Sequence, residues 1–400
     1  MRWLICLALV GIVLFGAENK AWSANVGAFA ELEQQAKGSE VKWFMWGGST
    51  IINSWVDTYV AGAVKEKYGI TLKRVPADAA VFINKLLGEK QAGGKGSMDL
   101  LWINGENFKN AMENGLLQGP ITDLLPNFSL VDPASVEFDF GYPVKGYEVP
   151  YGRAQFVFEY DAAKVPTPPK TFAELREWIK KNPGKFTYPK PPDFTGSAFI
   201  RQVFYAVTGG HKQYMAGFDK EMYAAKSAKV WEYLNEIKPY LWQEGKNYPK
   251  DIAALDALFE RGEVLLNMSY HQASAQGKIL QGRYRDTVRT LVMADGSIYN
   301  THFTAVPFNA SNRAGALVVA NFLLSPEAQL SKNNPANWGD FTAIDLNKLA
   351  GEDRSKFQTL DLGAATLPLA DLAQAAVPEI PSEYLEHLEK DWGKLVLQGK

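Results

Sequence analysis

The stretch VKWFMWGGSTIINSWVDTYVAGAVKEKYGITLKRV, residues 41–75, decides the fold. Val41, Trp43 and Met45 alternate with their neighbours, the period of a strand. Gly47, Gly48, Ser49 and Thr50 then break the pattern. From Ile51 the apolar residues Ile52, Trp55, Val56, Tyr59, Val60, Ala63 and Val64 fall at helical spacing. That helix stops at Gly69, and ITLKRV (70–75) is a second strand. Onward, Ala79 to Leu87 reads as a helix, Gly93, Gly94 and Gly96 as a loop, and MDLLWI (98–103) as a third, buried strand. Strands alternating with helices in this βαβαβ order imply a mostly parallel sheet flanked by helices.

A second unit follows. AQFVFEY (154–160) is a long strand lying between Pro150 and Pro166. TFAELREWIKKNPG (171–184) is a helix with a capping box from Thr171 to Glu174. GKFTYPKPPDFTGSAFIRQVFYAV (184–207) reads as a strand, a proline-rich bend and a helix. The segment 251–280 repeats helix, strand (VLLNMSY, 264–270) and helix. YNTHFTAVPF (299–308) is another long strand, NRAGALVVANFLLSPEAQ (312–329) is helical up to Ser325-Pro326, and the tail from about 340 is helical. The chain therefore leaves one α/β lobe near 150 and returns near 305. The expected division is 24–152 with 304–335 as the first lobe and 153–303 with 336–400 as the second, joined by two crossover strands around a cleft. Ligands of open α/β sheets sit at the carboxyl ends of strands.

Arg2 followed by LICLALVGIVLFGA (4–17) has the pattern of a secretory leader, with Ala21 and Ser23 setting cleavage after Ser23. Cys6 lies inside that leader, so the mature chain is expected to carry no disulfide and no lipid anchor. Without Arg2, Lys20 and Glu18 the formal charge of −2 becomes −3. With no basic block, nucleic acid is not an expected partner. No other apolar run is long enough to cross a membrane, so the expected location is the periplasm.

The sequence lacks the GxSxG and GxxxxGK[ST] motifs, and His211, His271, His302 and His387 form no metal-ligating spacing. No cofactor or metal is expected. Two strand ends instead carry a glycine–hydroxyl start to a helix: Gly47, Gly48, Ser49, Thr50, and Thr195, Gly196, Ser197. A helix start has unpaired N–H groups and a positive dipole end, and so is either an ordinary cap or a receptor for anionic oxygens. Trp46, Trp102, Tyr151 and Tyr270 stand beside these ends, where a ring serves the core or stacks on a ligand. Arg153, at the outward crossing, is either a counter-charge for the ligand or a hinge salt bridge.

GLLQGPITDLLPN (115–127), VPYGRAQFVFEYD (149–161), NPGKFTYPKPPDFTGSAFIRQ (182–202) and above all NFLLSPEAQ (321–329) resemble bacterial ABC-transporter solute-binding proteins of the thiamine, polyamine and iron group, within it the YnjB-like subfamily. The resemblance spans about 40–390. It implies a two-lobed periplasmic-binding-protein fold of type II that closes on a small solute and docks on the transmembrane subunits of a permease. Polyamine binders typically carry an aromatic and then an acid at the second lobe's strand end. Here Tyr270 is followed by Gln272, which weakens a diamine reading, and the paired tyrosines of iron binders are not evident. An anionic or zwitterionic solute with a flat or cationic part, thiamine-like, fits both features; a carbohydrate also suits stacked tryptophans. The alternative is an extracytoplasmic α/β enzyme, a hydrolase or transferase acting on a phosphorylated or sugar substrate.

Overall fold

A computed structural model describes residues 27–399; the expected leader, 1–23, lies outside them. Eleven strands are present among the described residues: β1 (Glu40–Met45), β2 (Thr71–Pro76), β3 (Leu100–Ile103), the short hairpin β4 (Phe138–Asp139) and β5 (Tyr142–Pro143), β6 (Glu148–Gln155), β7 (Val157–Asp161), β8 (Leu266–Ser269), β9 (Val288–Leu291), β10 (Ser297–Ala305) and β11 (Ala376–Pro378). The decisive stretch folds as read. β1 pairs in parallel with both β2 and β3. The helix between β1 and β2 starts at Thr50, passes through a π-helical Trp55–Val60 and ends at Tyr68, with Gly69 in the left-handed conformation closing it.

The larger sheet has the order β11-β10-β3-β1-β2, with β6 on the other edge of β10. β10 is antiparallel to β3 and β6 and parallel to β11, so this sheet is mixed around a parallel core. The second sheet, β8-β7-β9, departs from the expected parallel arrangement: β7 is antiparallel to both neighbours. The reason lies in the route of the chain. β7 follows β6 across the lobes with only Phe156 between them, so no crossover helix returns it in the direction of its neighbours. The strand expected after Gly184 is also absent. Pro189, Pro191 and Pro192 remove its donors, and Phe186 instead accepts singly from Trp242 N–H.

Two apolar cores form. One gathers residues between Phe29 and Tyr151, then Phe303 to Phe357; the other gathers Phe140, Phe156 to Ile298, then Ala365 to Val396. Apart from the single excursion of Phe140, the chain changes core three times: between Tyr151 and Phe156, between Ile298 and Phe303, and between Phe357 and Ala365. The last change falls later than the expected 336. Trp338, Ala343, Ile344, Leu349 and Phe357 pack with the first core because Gly339 and Asp340 N–H bond back to Lys332, and Phe341 bridges to Arg153, which holds this loop against β6.

Candidate functional site

Where β6 and β10 cross, the first lobe brings four rings onto one surface. Trp102, at the end of β3, lies edge-on to Tyr151 at 5.6 Å and to His302 at 4.9 Å, and Trp338 stands 5.9 Å from it. Trp46, at the end of β1, meets Trp102 edge-on at 6.5 Å and remains 39% exposed. Beneath the rings, Lys332 Nζ sits 4.5 Å from the Tyr151 ring and 4.2 Å from the Trp338 ring, paired with Asp340. Gly152 makes room for that pair: a Cβ there would lie 1.5 Å from Nζ. The second lobe adds the loop after β8, where Gln272 donates to Gly339 C=O at 3.2 Å and His271 reaches the same loop.

Tyr151, Asn300, His302, Lys332, Trp338 and Asp340 are buried, and among the described residues several polar atoms of the cluster have no protein partner: Tyr151 OH, His302 Nδ1, His271 Nε2 and both amide atoms of Asn300. Burial lowers the pKa of both imidazoles, that of His271 to about 4, so each ring is neutral at pH 7 and offers one donor and one acceptor. Burial also drives Lys332 down to about 8; burial opposes ionisation of Asp340 too, but the Lys332 charge beside it holds that carboxyl below its ordinary range. Orphaned buried polar atoms cost about 1–3 kcal/mol each, so such a cluster is a surface prepared for an occupant.

Next to it, Tyr270 OH donates to Glu379 at 2.7 Å, and Arg201 grips both Glu379 oxygens at 2.8 Å. Arg201 also donates to Ser197 and lies under the Phe140 and Phe194 rings. Carboxylates outnumber this guanidinium. Burial raises Glu106 to about 7, with Glu389 and Glu386 across the lobes adding to it and Arg201 opposing. Asp139 is driven up by burial, then by Glu106 and Glu379, although Gly105 N–H donates to it. Glu148 has neither oxygen partnered and is raised by burial and by Asp139. Lys109–Glu383 is an ion pair between the Gly105–Glu113 and Ser382–Trp392 helices.

The residues expected from sequence separate into two sets. Trp102 and Tyr151 are in the ring cluster, with Trp46 on its rim, and Tyr270 is in the Glu379 network. Gly47 and Gly48 serve packing: a Cβ at Gly47 would lie 2.7 Å from Pro76, and one at Gly48 2.2 Å from the Trp46 ring. Ser49 caps the helix at 3.5 Å, and Thr50 is exposed, lining a shallow cavity of about 210 Å³ with Tyr59, Gln281 and Asn337 on the flank of the helix. Thr195, Gly196 and Ser197 are buried, and the anion at their helix start is the protein's own: Asp193 accepts from Gly196 N–H at 2.9 Å and from Ile252 N–H at 3.0 Å. Among the described residues Arg153 forms no salt bridge; it bonds Ser135 and its backbone pairs with Phe341.

Sequence reasoning missed His271, Asn300, His302, Lys332, Trp338 and Asp340. One signal was available. Asn300 and His302 occupy alternate positions of a long strand expected to join the lobes, and polar side chains on one face of such a strand demand partners if that face is buried.

Comparison with known proteins gives a consistent result. Residues 60–332 match the family described as bacterial extracellular solute-binding protein. Protein YnjB of Escherichia coli K12 is 42% identical over 341 residues, 84% of this chain and 88% of its own. Among solved structures, the spermidine/putrescine ABC transporter substrate-binding protein PotD of Streptococcus pneumoniae superposes with a TM-score of 0.63 at 14% identity, covering 90% of this chain and 98% of its own. The periplasmic binding protein AfuA of Actinobacillus pleuropneumoniae, with fructose-6-phosphate bound, gives 0.62 at 14% identity, covering 89% and 98%.

Proposed function

The chain belongs to the bacterial extracellular solute-binding protein family, and we propose that it carries a small solute with a flat part and a cationic group, held in the ring cluster between its lobes. It is a solute-binding component of an ABC importer and not an enzyme; its relatives and its fold are those of binding proteins. Among the described residues no helix is long and apolar enough to cross a membrane. In this reading the chain is exported to the periplasm by its leader, and permease subunits receive the closed form. The bodies that close are 27–152 with 303–358 and 153–302 with 359–399, an allocation supported by the two cores.

The observation that carries the solute class is the pairing of an aromatic surface bearing unpartnered polar atoms with a neighbouring excess of carboxylate. Rings favour a flat or cationic group, and the raised pKa values of Glu106, Asp139 and Glu389, set first by burial, leave carboxyl groups that a cationic group would help to ionise and an anion would not. A thiamine-like solute meets both conditions; a purely anionic one meets neither.

Native mass spectrometry of protein purified from the periplasm tests the reading, alongside Trp102→Ala. The expected result is a retained solute with a cationic nitrogen that the variant loses. A ring contact of this kind is worth about 2 kcal/mol or more, roughly a thirtyfold loss of affinity by calorimetry. A retained sugar or simple anion, or a variant that binds like the parent, overturns it.

A further inference from the structure

Asn300 lies at the middle of β10, where that strand passes from one lobe to the other. Tyr299 is the last β10 residue paired with β11, and Phe303 is the first paired with β3. On that edge residues 300–302 face no strand, while β6 remains paired with them on the other edge through Ala154, Arg153 and Gly152. Side chains alternate along a strand, so Asn300 projects on the face of His302, whose ring meets Trp102.

The side chain is 5% exposed, and neither Oδ1 nor Nδ2 has a partner among the described residues. Among the described residues the other buried asparagines each keep at least one partner. Asn267 donates to Glu159, Asp256 and Tyr284; Asn321 accepts from Asn127 N–H; Asn333 donates to Asp340 C=O. Asparagine is also disfavoured inside strands. A leucine at 300 would avoid both costs, so the amide is retained against the interest of the fold. Its partner in β6 is Ala154, whose side chain has no polar group to offer the amide.

We infer that Asn300 is the residue that selects the solute, by pairing its free acceptor and donor with an adjacent donor and acceptor on the edge of a planar ring, as in a lactam or an amino-substituted N-heterocycle. Trp102 and its neighbours hold the face of the ring while Asn300 reads its edge. The inference rests on the reading that the solute occupies this cluster. A carboxamide discriminates strongly here, because a solute without the edge leaves buried polar groups unpaired.

Two matched pairs of probes test it on the full mature chain, followed by tryptophan fluorescence at millimolar concentration: 2-pyridone against N-methyl-2-pyridone, and 2-aminopyrimidine against 2-(dimethylamino)pyrimidine. The first member of each pair carries the edge; methylation removes its donor and keeps the ring. The parent is expected to prefer the first member at least tenfold. Asn300→Leu is expected to lose that preference while still binding the methylated member, and to melt no lower than the parent. The inference is overturned if the parent binds both members equally, if Asn300→Leu keeps the preference, or if no probe binds the parent. Failure of the ring-cluster reading shows separately, as a retained solute unaffected by Trp102→Ala.

Discussion

Lys332–Asp340 and Arg201–Glu379 are two buried ion pairs built to the same plan and finished differently. Both are almost wholly removed from water, at 1% and 0% exposure for the first and 0% and 3% for the second. Both cations lie against two aromatic rings. The Arg201 system is closed: Glu379 uses both oxygens, Ser197 takes a further N–H, and Tyr270 caps the carboxylate. The Lys332 system is open. Asp340 Oδ1 is 3.3 Å from His302 Nε2 without an aligned hydrogen bond, and Tyr151 OH and His302 Nδ1 have no partner. A satisfied network fixes a structure, while a half-satisfied one is tolerated only where something else completes it. The difference separates scaffold from site.

The sharpest way to break the comparison is to remove one anion from each pair. Glu379→Ala leaves a guanidinium that cannot shed its proton, and is expected to cost about 3–5 kcal/mol in urea unfolding at any pH from 6 to 8. Asp340→Asn is expected to cost a similar amount at pH 6 but less as the pH rises. The sign follows from the lysine. Its folded pKa, about 8 in the parent, is below the unfolded value of 10.5, so its charge destabilises the fold at low pH. Without Asp340 that pKa falls further. The variant then sheds the charge at a lower pH than the parent, and its deficit closes by up to about 1.4 kcal/mol per unit until pH 8. Above pH 8 the parent's lysine is neutral too, and the gap stops closing. Equal pH dependence in the two variants would erase the distinction between closed and open networks.

The same contrast explains what could be read from sequence. The strand and helix periods of residues 41–103 come from local burial, and the structure follows them closely because both faces of β1 and β3 pack inside one lobe. Trp46, Trp102 and Tyr151 were legible because they stand at or near the strand ends of one sheet. Tyr151 meets Lys332 and Trp338, which arrive from roughly 180 residues further along the chain. No period or spacing encodes that meeting, so Lys332, Trp338 and Asp340 were invisible. The two glycine–hydroxyl helix starts looked alike for the opposite reason. Their local chemistry is the same, but Asp193, immediately before the second helix, already fills it. The sequence FMWGGST contains no equivalent acid, so the first start has no anion of its own from that stretch.

That last contrast carries the smallest expected effects. A Cβ at Gly48 would overlap the Trp46 ring at 2.2 Å, and the ring, 39% exposed, can swing away without disturbing the core. Gly48→Val is therefore expected to leave stability within about 1 kcal/mol of the parent while shifting Trp46 fluorescence and weakening solute binding about tenfold, since the ring leaves the rim of the cluster. Ser49→Ala removes a cap whose hydrogen bond is already long, 3.5 Å to Ile52 N–H. It is expected to cost less than the usual cap, about 0.5 kcal/mol, with binding unchanged. The order matters more than either value. If Ser49→Ala weakens binding as much as Gly48→Val, the hydroxyl touches the solute, and the first helix start is a receptor after all. If Gly48→Val binds like the parent, Trp46 lies outside the site, and the cluster ends at Trp102.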